Sequence, residues 1–130
     1  MRIDTSGNIG IGTTTPAEKL TVTSGNIVAT SGQIVSKAYN NGSATTFDMN
    51  NGNNQYTSAS CGAMTLSNLV DGASYTLAIQ GATSGTCTFT AAGYTFKYYP
   101  ANGATTAATH SIYSMQVMGS YVYVSWITGF

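Results

Sequence analysis

Charge is nearly missing from this sequence. Four basic and four acidic side chains make up 6% of its 130 residues, against about 25% in an ordinary soluble domain. Formal net charge is zero, which argues against nucleic acid or an anionic membrane surface as partner, because both need a clustered basic patch. Long apolar runs are missing too. None approaches the roughly 18 residues of a spanning helix, and no apolar stretch follows Met1-Arg2-Ile3-Asp4 as it would in a signal peptide. Neither nucleic-acid binding nor membrane insertion is expected. Histidine occurs once and cysteine twice, at spacings that match no ligand motif, so no metal site and no cofactor are expected. The polarity comes from Thr, Ser, Asn and Gly. With apolar residues at 42% and so little charge, the chain is predicted to fold rather than stay disordered.

The scarce residues are unevenly placed. Of the eight charged side chains, Arg2, Asp4, Glu18, Lys19 and Lys37 lie in the first 37 residues, and all fourteen aromatics follow, from Tyr39 to Phe130. An aromatic-free, glycine-punctuated segment over 1–38 therefore precedes an aromatic-rich domain over 39–130, a stalk followed by a head. "SGNI" at Ser6–Ile9 recurs at Ser24–Ile27 and, as "SGQI", at Ser31–Ile34. Starting inside a repeat, the sequence is expected to be the end of a longer chain whose export signal lies upstream. Thr15-Pro16-Ala17-Glu18 has the pattern of a capping box with proline at the first helical position. It predicts a one-turn helix over 15–20, cut short by β-branched Thr21, Val22 and Thr23. Around it lie β-prone pieces at 8–11, 20–23, 26–30 and 33–36. Such pieces have no second layer to cover Ile3, Ile9, Ile11, Leu20, Val22, Ile27, Val28, Ile34 and Val35. Each side chain of this size is worth about 1.5–3 kcal/mol when fully buried, so self-association is the expected way to cover them.

"GNIGIGTTTPAEKLTV", residues 7–22, resembles the recurring shaft segment of trimeric phage tail fibres and related bacterial surface fibres, in which three chains wind around one axis. The resemblance covers residues 2 to about 36. The head is similar in overall pattern to C-terminal tip domains of such fibres, including those of predatory bacteria. The similarity runs from "TFDMNNGN" through "CGAMTLSNLVDGASYTLAIQG" to "YVYVSWITGF". It implies a homotrimer with a short intertwined β shaft, carried on a cell surface or, if phage-encoded, on a virion tail.

The head reads as all-β, an antiparallel meander or sandwich. Asp71-Gly72 is a type I′ dipeptide between 63–70 and 73–80, which would set Leu66 opposite Leu77 and Met64 opposite Ile79. Gly119-Ser120 suits a type II′ turn between 111–118 and 121–127, setting Val117 against Val122, Met115 against Val124 and Tyr113 against Trp126. Asn51-Gly52 gives a third hairpin with Phe47 opposite Tyr56. Cys87, Phe89, Tyr94, Phe96 and Tyr98 are expected to point one way. The last hairpin also has a second apolar face, with Ile112 opposite Ile127 and Met118 opposite Tyr121. A neighbouring subunit is expected to cover it, with a compact sandwich monomer as the alternative. Cys61 and Cys87, in a Thr/Asn-rich chain of extracellular character, favour a disulfide over two buried thiols. Strand parity turns Cys61 away from Met64 unless Gly62 bulges.

Catalytic groups are scarce, and no enzyme is expected. Glu18 is assigned to its cap, Asp71 to its turn and Asp4 to the shaft. That leaves Asp48 without the second carboxylate that glycosidase chemistry uses. One histidine among many hydroxyls does not define a nucleophilic pair, and "GIGTTT" lacks the lysine of a phosphate loop. Binding is better supplied. Tyr98, Tyr99, Asn102 and His110 flank the long connection 100–109, and Tyr121 and Tyr123 lie on the final hairpin. Flat apolar rings with polar edges, beside amide and imidazole groups, suit the C–H faces and hydroxyls of sugars. With the resemblance, this points to an adhesin recognising cell-envelope glycans through three equivalent heads. A trimerisation cap without a ligand is the alternative, and a depolymerase acting across subunits is a third reading.

Overall fold

β-prone pieces separated by glycine can form only short strands, and the first 35 residues contain three of them. The computed structural model describes all 130 residues, which divide into two units, Met1–Val35 and Ser36–Phe130. In the first unit, β1 (Arg2–Ile3) pairs antiparallel with β2 (Ile9–Ile11), and β2 pairs parallel with β3 (Leu20–Val22). Asp4 organises the first turn. Its Oδ1 accepts the N–H groups of Ser6 (2.9 Å) and Asn8 (2.8 Å), and its Oδ2 accepts the Asn8 amide (3.2 Å). The bond from the Asn8 N–H is the main influence holding the Asp4 carboxyl below its ordinary value.

The expected helix over 15–20 is not there. The Thr15 N–H donates to Thr13 Oγ1 at 3.2 Å and the Glu18 N–H to Thr21 Oγ1 at 3.1 Å. These neighbouring hydroxyls satisfy donors that a capping box would have served. Pairing with β2 from Leu20 onward removes the residues a first turn would need. The pieces at 26–30 and 33–36 form no strand. None of the nine aliphatic side chains of this unit is buried: Ile9 and Val22 are partly covered, and the rest are exposed, up to 74% for Ile34.

Gly12 makes a tight contact in this sheet that requires glycine. Its φ is +77°, and a Cβ there would overlap the Thr23 carbonyl oxygen. The Thr23 N–H also donates to the Ile11 carbonyl at 2.9 Å, so the two segments cannot separate without losing that bond. Gly12→Ala is therefore expected to melt the β2–β3 pairing, with a loss of about 1–3 kcal/mol from backbone strain. Amide exchange at Thr23 would show it. Unchanged protection in the variant would refute the contact.

The second unit holds nine strands: β4 (Tyr39–Asn40), β5 (Thr46–Asp48), β6 (Asn54–Thr57), β7 (Ala63–Ser67), β8 (Ser74–Ile79), β9 (Thr88–Thr90), β10 (Thr95–Tyr99), β11 (Ser111–Met118) and β12 (Tyr121–Thr128). They form a six-stranded sheet in the order β10-β12-β11-β8-β6-β4 and a three-stranded sheet β5-β7-β9. The unit is all-β, as expected, but the antiparallel meander is not what forms. Only β11 runs antiparallel to its neighbours, and every other pairing in both sheets is parallel.

The difference lies in the turns. β5–β6, β7–β8 and β9–β10 each leave the small sheet and enter the large one, so successive strand–turn–strand units stack in a solenoid-like manner. The Asp71-Gly72 hairpin is thus an arch between sheets. Gly72 has φ +83° but Asp71 has no positive φ, and the Ala73 N–H bonds the Val70 carbonyl at 3.1 Å. This fits a type II turn, not the type I′ turn whose twist matches a hairpin. Asn51-Gly52 fails as a hairpin for a similar reason. Met49–Asn51 is a 3₁₀ turn capped by the Asp48 side chain, and Gly52 is at φ +130°. Across that arch Tyr56 points outward. Gln55 and Thr57 go inside instead, where the Gln55 amide donates to the Asp48 carbonyl (2.7 Å) and Thr57 Oγ1 to the Ala44 carbonyl (2.7 Å).

The Gly119-Ser120 hairpin forms in the expected register, with Val117 facing Val122, Met115 facing Val124 and Tyr113 facing Trp126. Gly119 at φ +59° with no positive φ at Ser120 fits type II′. Asp71 reaches this turn as well, its Oδ1 accepting the Gly119 N–H at 2.7 Å. One core lies between the two sheets. Phe47, Met64, Leu66 and Phe89 come from the small sheet, and Leu77, Ile79, Tyr113, Met115, Val117, Val122 and Val124 from the large one. Cys61 and Cys87 form a disulfide at that core, with Cα atoms 4.5 Å apart. Cys61 precedes β7, so strand parity does not govern its direction.

Candidate functional site

The inward residues of the large sheet are occupied by the core, so its outer face is where a ligand-binding surface has to be sought. Register alone defines three lanes across that face. Thr76, Ser114, Ser125 and Tyr99 are successive partners on β8, β11, β12 and β10. On one side runs Gln116–Tyr123–Lys97, and on the other Ala78–Ile112–Ile127. Small hydroxyl side chains between two lanes of larger ones make a trough.

The trough opens into two adjoining grooves. One, of about 330 Å³, is lined by Lys97, Tyr98, Tyr99, Ser114, Gln116, Tyr123, Val124 and Ser125. The other, of about 290 Å³, is walled by Pro100, Ile112, Trp126, Ile127 and Phe130, and shares Tyr99, Ser114 and Ser125 with the first. Tyr99, 84% exposed, stands between them. Tyr123 and Tyr121 are also exposed, with ring centroids 6.3 Å apart, and the Lys97 ammonium lies 5.9 Å from the Tyr121 ring centre. The first groove thus combines tyrosine faces, two hydroxyls, an amide and one ammonium. The second has a hydroxyl floor but almost wholly apolar walls.

The six residues expected from the sequence are divided by the fold. Tyr99, Tyr121 and Tyr123 share the outer face. Tyr98 lines the groove, but its ring packs on the core and its hydroxyl accepts the Phe89 N–H at 3.1 Å. Burial pushes its phenol upward from the ordinary value, partly offset by that bond. Asn102 faces inward and donates to the Cys87 carbonyl at 2.9 Å, while its amide oxygen is buried without a partner in the chain. His110 is exposed and lines neither groove, and its backbone holds Gly129 and Phe130 at the end of the hairpin. The loop joining β10 to β11 begins with a cis Tyr99–Pro100 bond. It folds back onto the chain before β9 through a Thr86–Ala104 bridge, which turns Asn102 inward.

Lys97, Ser114, Gln116 and Ser125 also line the groove and are not among the residues expected from the sequence. The Ser114–Ser125 pair was available from the hairpin register. The place of Lys97 beside Tyr123 was not, because it depends on a parallel pairing between β10 and β12.

The carboxylates of the second unit are engaged elsewhere. Asp48 accepts from the Asn68 amide (2.8 Å) and the Asn50 N–H (2.9 Å), and the Asn68 bond is the main cause of its lowered pKa. Asp71 accepts from Gly119. No group of three His, Cys, Asp or Glu side chains is placed to hold a metal ion, and no helix is long and apolar enough to cross a membrane. Comparison with family models, with curated proteins and with solved structures finds no match for this chain.

Proposed function

We propose that this chain is the tip of a homotrimeric extracellular fibre, an adhesin whose C-terminal unit binds cell-envelope glycan in the outer-face groove. The observation that carries the binding part is the lane Ser114–Ser125–Tyr99, with Gln116 and Tyr123 alongside. A pyranose offers apolar C–H faces to the rings and hydroxyls to the serines and the amide, the same combination in one plane. The trimer rests on the nine uncovered aliphatic side chains of the first unit. It is also supported by the apolar side chains of Ile112, Ile127 and Phe130 at the second groove, a patch of the kind that meets a neighbouring subunit. Three modest sites on one particle supply avidity without requiring strong single-site binding.

The full chain is expected to scatter light as a particle three times the 13.4 kDa of one copy. On an array of envelope oligosaccharides it should bind glycans, with Tyr123→Ala weakening each hit about tenfold. A folded 13.4 kDa particle would overturn the trimer. An array on which the chain and the variant give the same blank result would overturn the adhesin and leave a trimerisation cap.

A further inference from the structure

The groove holds one charged side chain, and this single charge has a consequence for what binds. The second unit carries four charged residues, Lys37, Asp48, Asp71 and Lys97. Both of its carboxylates accept hydrogen bonds away from the groove, Asp48 from Asn50 and Asn68 and Asp71 from Gly119. Lys97 therefore stands in the groove without a carboxylate in the lining to neutralise it. Its position is fixed by the parallel β10–β12 register, which puts it directly beside Tyr123, with Tyr99 beside Ser125 two residues further on. The Lys97 ammonium lies 5.9 Å from the Tyr121 ring centre, a cation–π contact that keeps it beside the aromatic wall.

We infer that the groove selects acidic saccharides, in which a sugar ring lies along the Ser114–Ser125 lane and its carboxylate, sulfate or phosphate group meets the Lys97 ammonium. This rests on the reading of the groove as a saccharide site and adds the ligand's charge to it. A neutral sugar uses only the rings, hydroxyls and amide. An acidic one gains an ion pair that, in this lining, only the Lys97 ammonium can give. Since no acidic side chain lines the groove, an anion there meets no like-charge repulsion.

The test uses the full chain and matched pairs: sialyllactose and uronic-acid oligosaccharides, each with its carboxyl-reduced form. The acidic member of each pair should bind about tenfold more tightly, and the margin should shrink as salt is raised. Lys97→Met replaces the ammonium by an apolar group of similar length and should bring the acidic and neutral members of each pair to equal affinity, whatever it does to both alike. Lys97→Arg should restore the preference. Equal binding within each pair, or a preference that survives Lys97→Met, overturns the inference and leaves the saccharide reading standing. Failure of both members to bind overturns both. Lys97 is exposed, and an unchanged circular dichroism spectrum of the variant separates a lost contact from a lost fold.

Discussion

Replacing Cys61 and Cys87 together by alanine is expected to lower the stability of the C-terminal unit by about 3–4 kcal/mol, the loop-closure value for a 26-residue separation. The bridge joins the residues just ahead of β7 and β9, which lie side by side in the small sheet with Ala63 facing Thr88. That sheet has three short parallel strands. Each pairing within it closes a long loop, because an arch and a strand of the other sheet intervene, and loop closure is the term a covalent tie removes. Alanine adds a second loss, since Cys87 is fully buried and the Tyr113 hydroxyl lies 3.4 Å from Cys61 Sγ. A bridged sulfur has no proton, so the hydroxyl is the donor there and loses its acceptor in the variant. Thermal unfolding should show a drop of about 15–25 °C for a unit of this size. A loss below about 1 kcal/mol would mean that stacking of the arches, rather than the bridge, keeps β7 beside β9.

How much of this architecture the sequence carried depends on how local the information was. The β11–β12 hairpin was legible to the residue, because an eight-residue strand, a Gly-Ser turn and a second eight-residue strand contain their own pairing partners. The arches were not. Met64, Leu66, Leu77 and Ile79 are buried, as a hairpin at Asp71-Gly72 would bury them. In an arch, however, the same inward side chains face one another across the core, while the backbones bond to other strands. Leu66 pairs with Phe47 and Met64 with Phe89, and Leu77 lies between Gln55 and Tyr113. Alternation of apolar residues specifies which face is inside and is silent on which backbone is the neighbour. The φ signs of Asp71 and Gly72 decide the matter, and the dipeptide allows either turn.

The same limit divided the candidate site. Tyr99, Tyr121 and Tyr123 were identified by residue type, and the tyrosines that serve the fold could not be told from them. Tyr75 and Tyr94 bracket the Val70–Ala73 arch, the first accepting the Val70 N–H at 3.0 Å and the second donating to the Leu69 carbonyl at 3.1 Å. A tyrosine in a strand is a wall or a girder according to parity and to what packs behind it, and the second of these comes from elsewhere in the chain. In the first unit the nine uncovered aliphatic residues were legible from composition. The turn that replaces the helix was not, because Thr13 and Thr21 hydroxyls outcompete Thr15 and Glu18 for the same backbone donors.

Tyr113 is the girder with the largest expected effect. It has no exposed surface, and its ring stacks on Trp126 (centroids 5.7 Å, planes 8° apart) and meets Phe89 edge-on at 4.9 Å. It therefore ties the final hairpin to the small sheet and lies behind the outer lane that carries Ser114 and Ser125. Tyr113→Ala is expected to cost about 3–5 kcal/mol, the range for emptying a buried aromatic site, and to shift the Trp126 emission as its stacking partner is removed. Tyr113→Phe keeps the ring and should cost about 1 kcal/mol, the net worth of one hydrogen bond. The two variants separate packing from the hydroxyl. The parent also differs from Tyr113→Phe in alkali. Burial, with a smaller contribution from Tyr98, pushes the Tyr113 phenol up from 10.0 to about 12. Between these values the unfolded chain releases a proton that the folded chain keeps, so stability is full below pH 10 and falls as pH rises toward 12. Urea midpoints measured across that interval should decline more steeply for the parent than for Tyr113→Phe. Equal slopes would show that the hydroxyl is not held in the folded interior, and the tie between the two sheets would then rest on the ring alone.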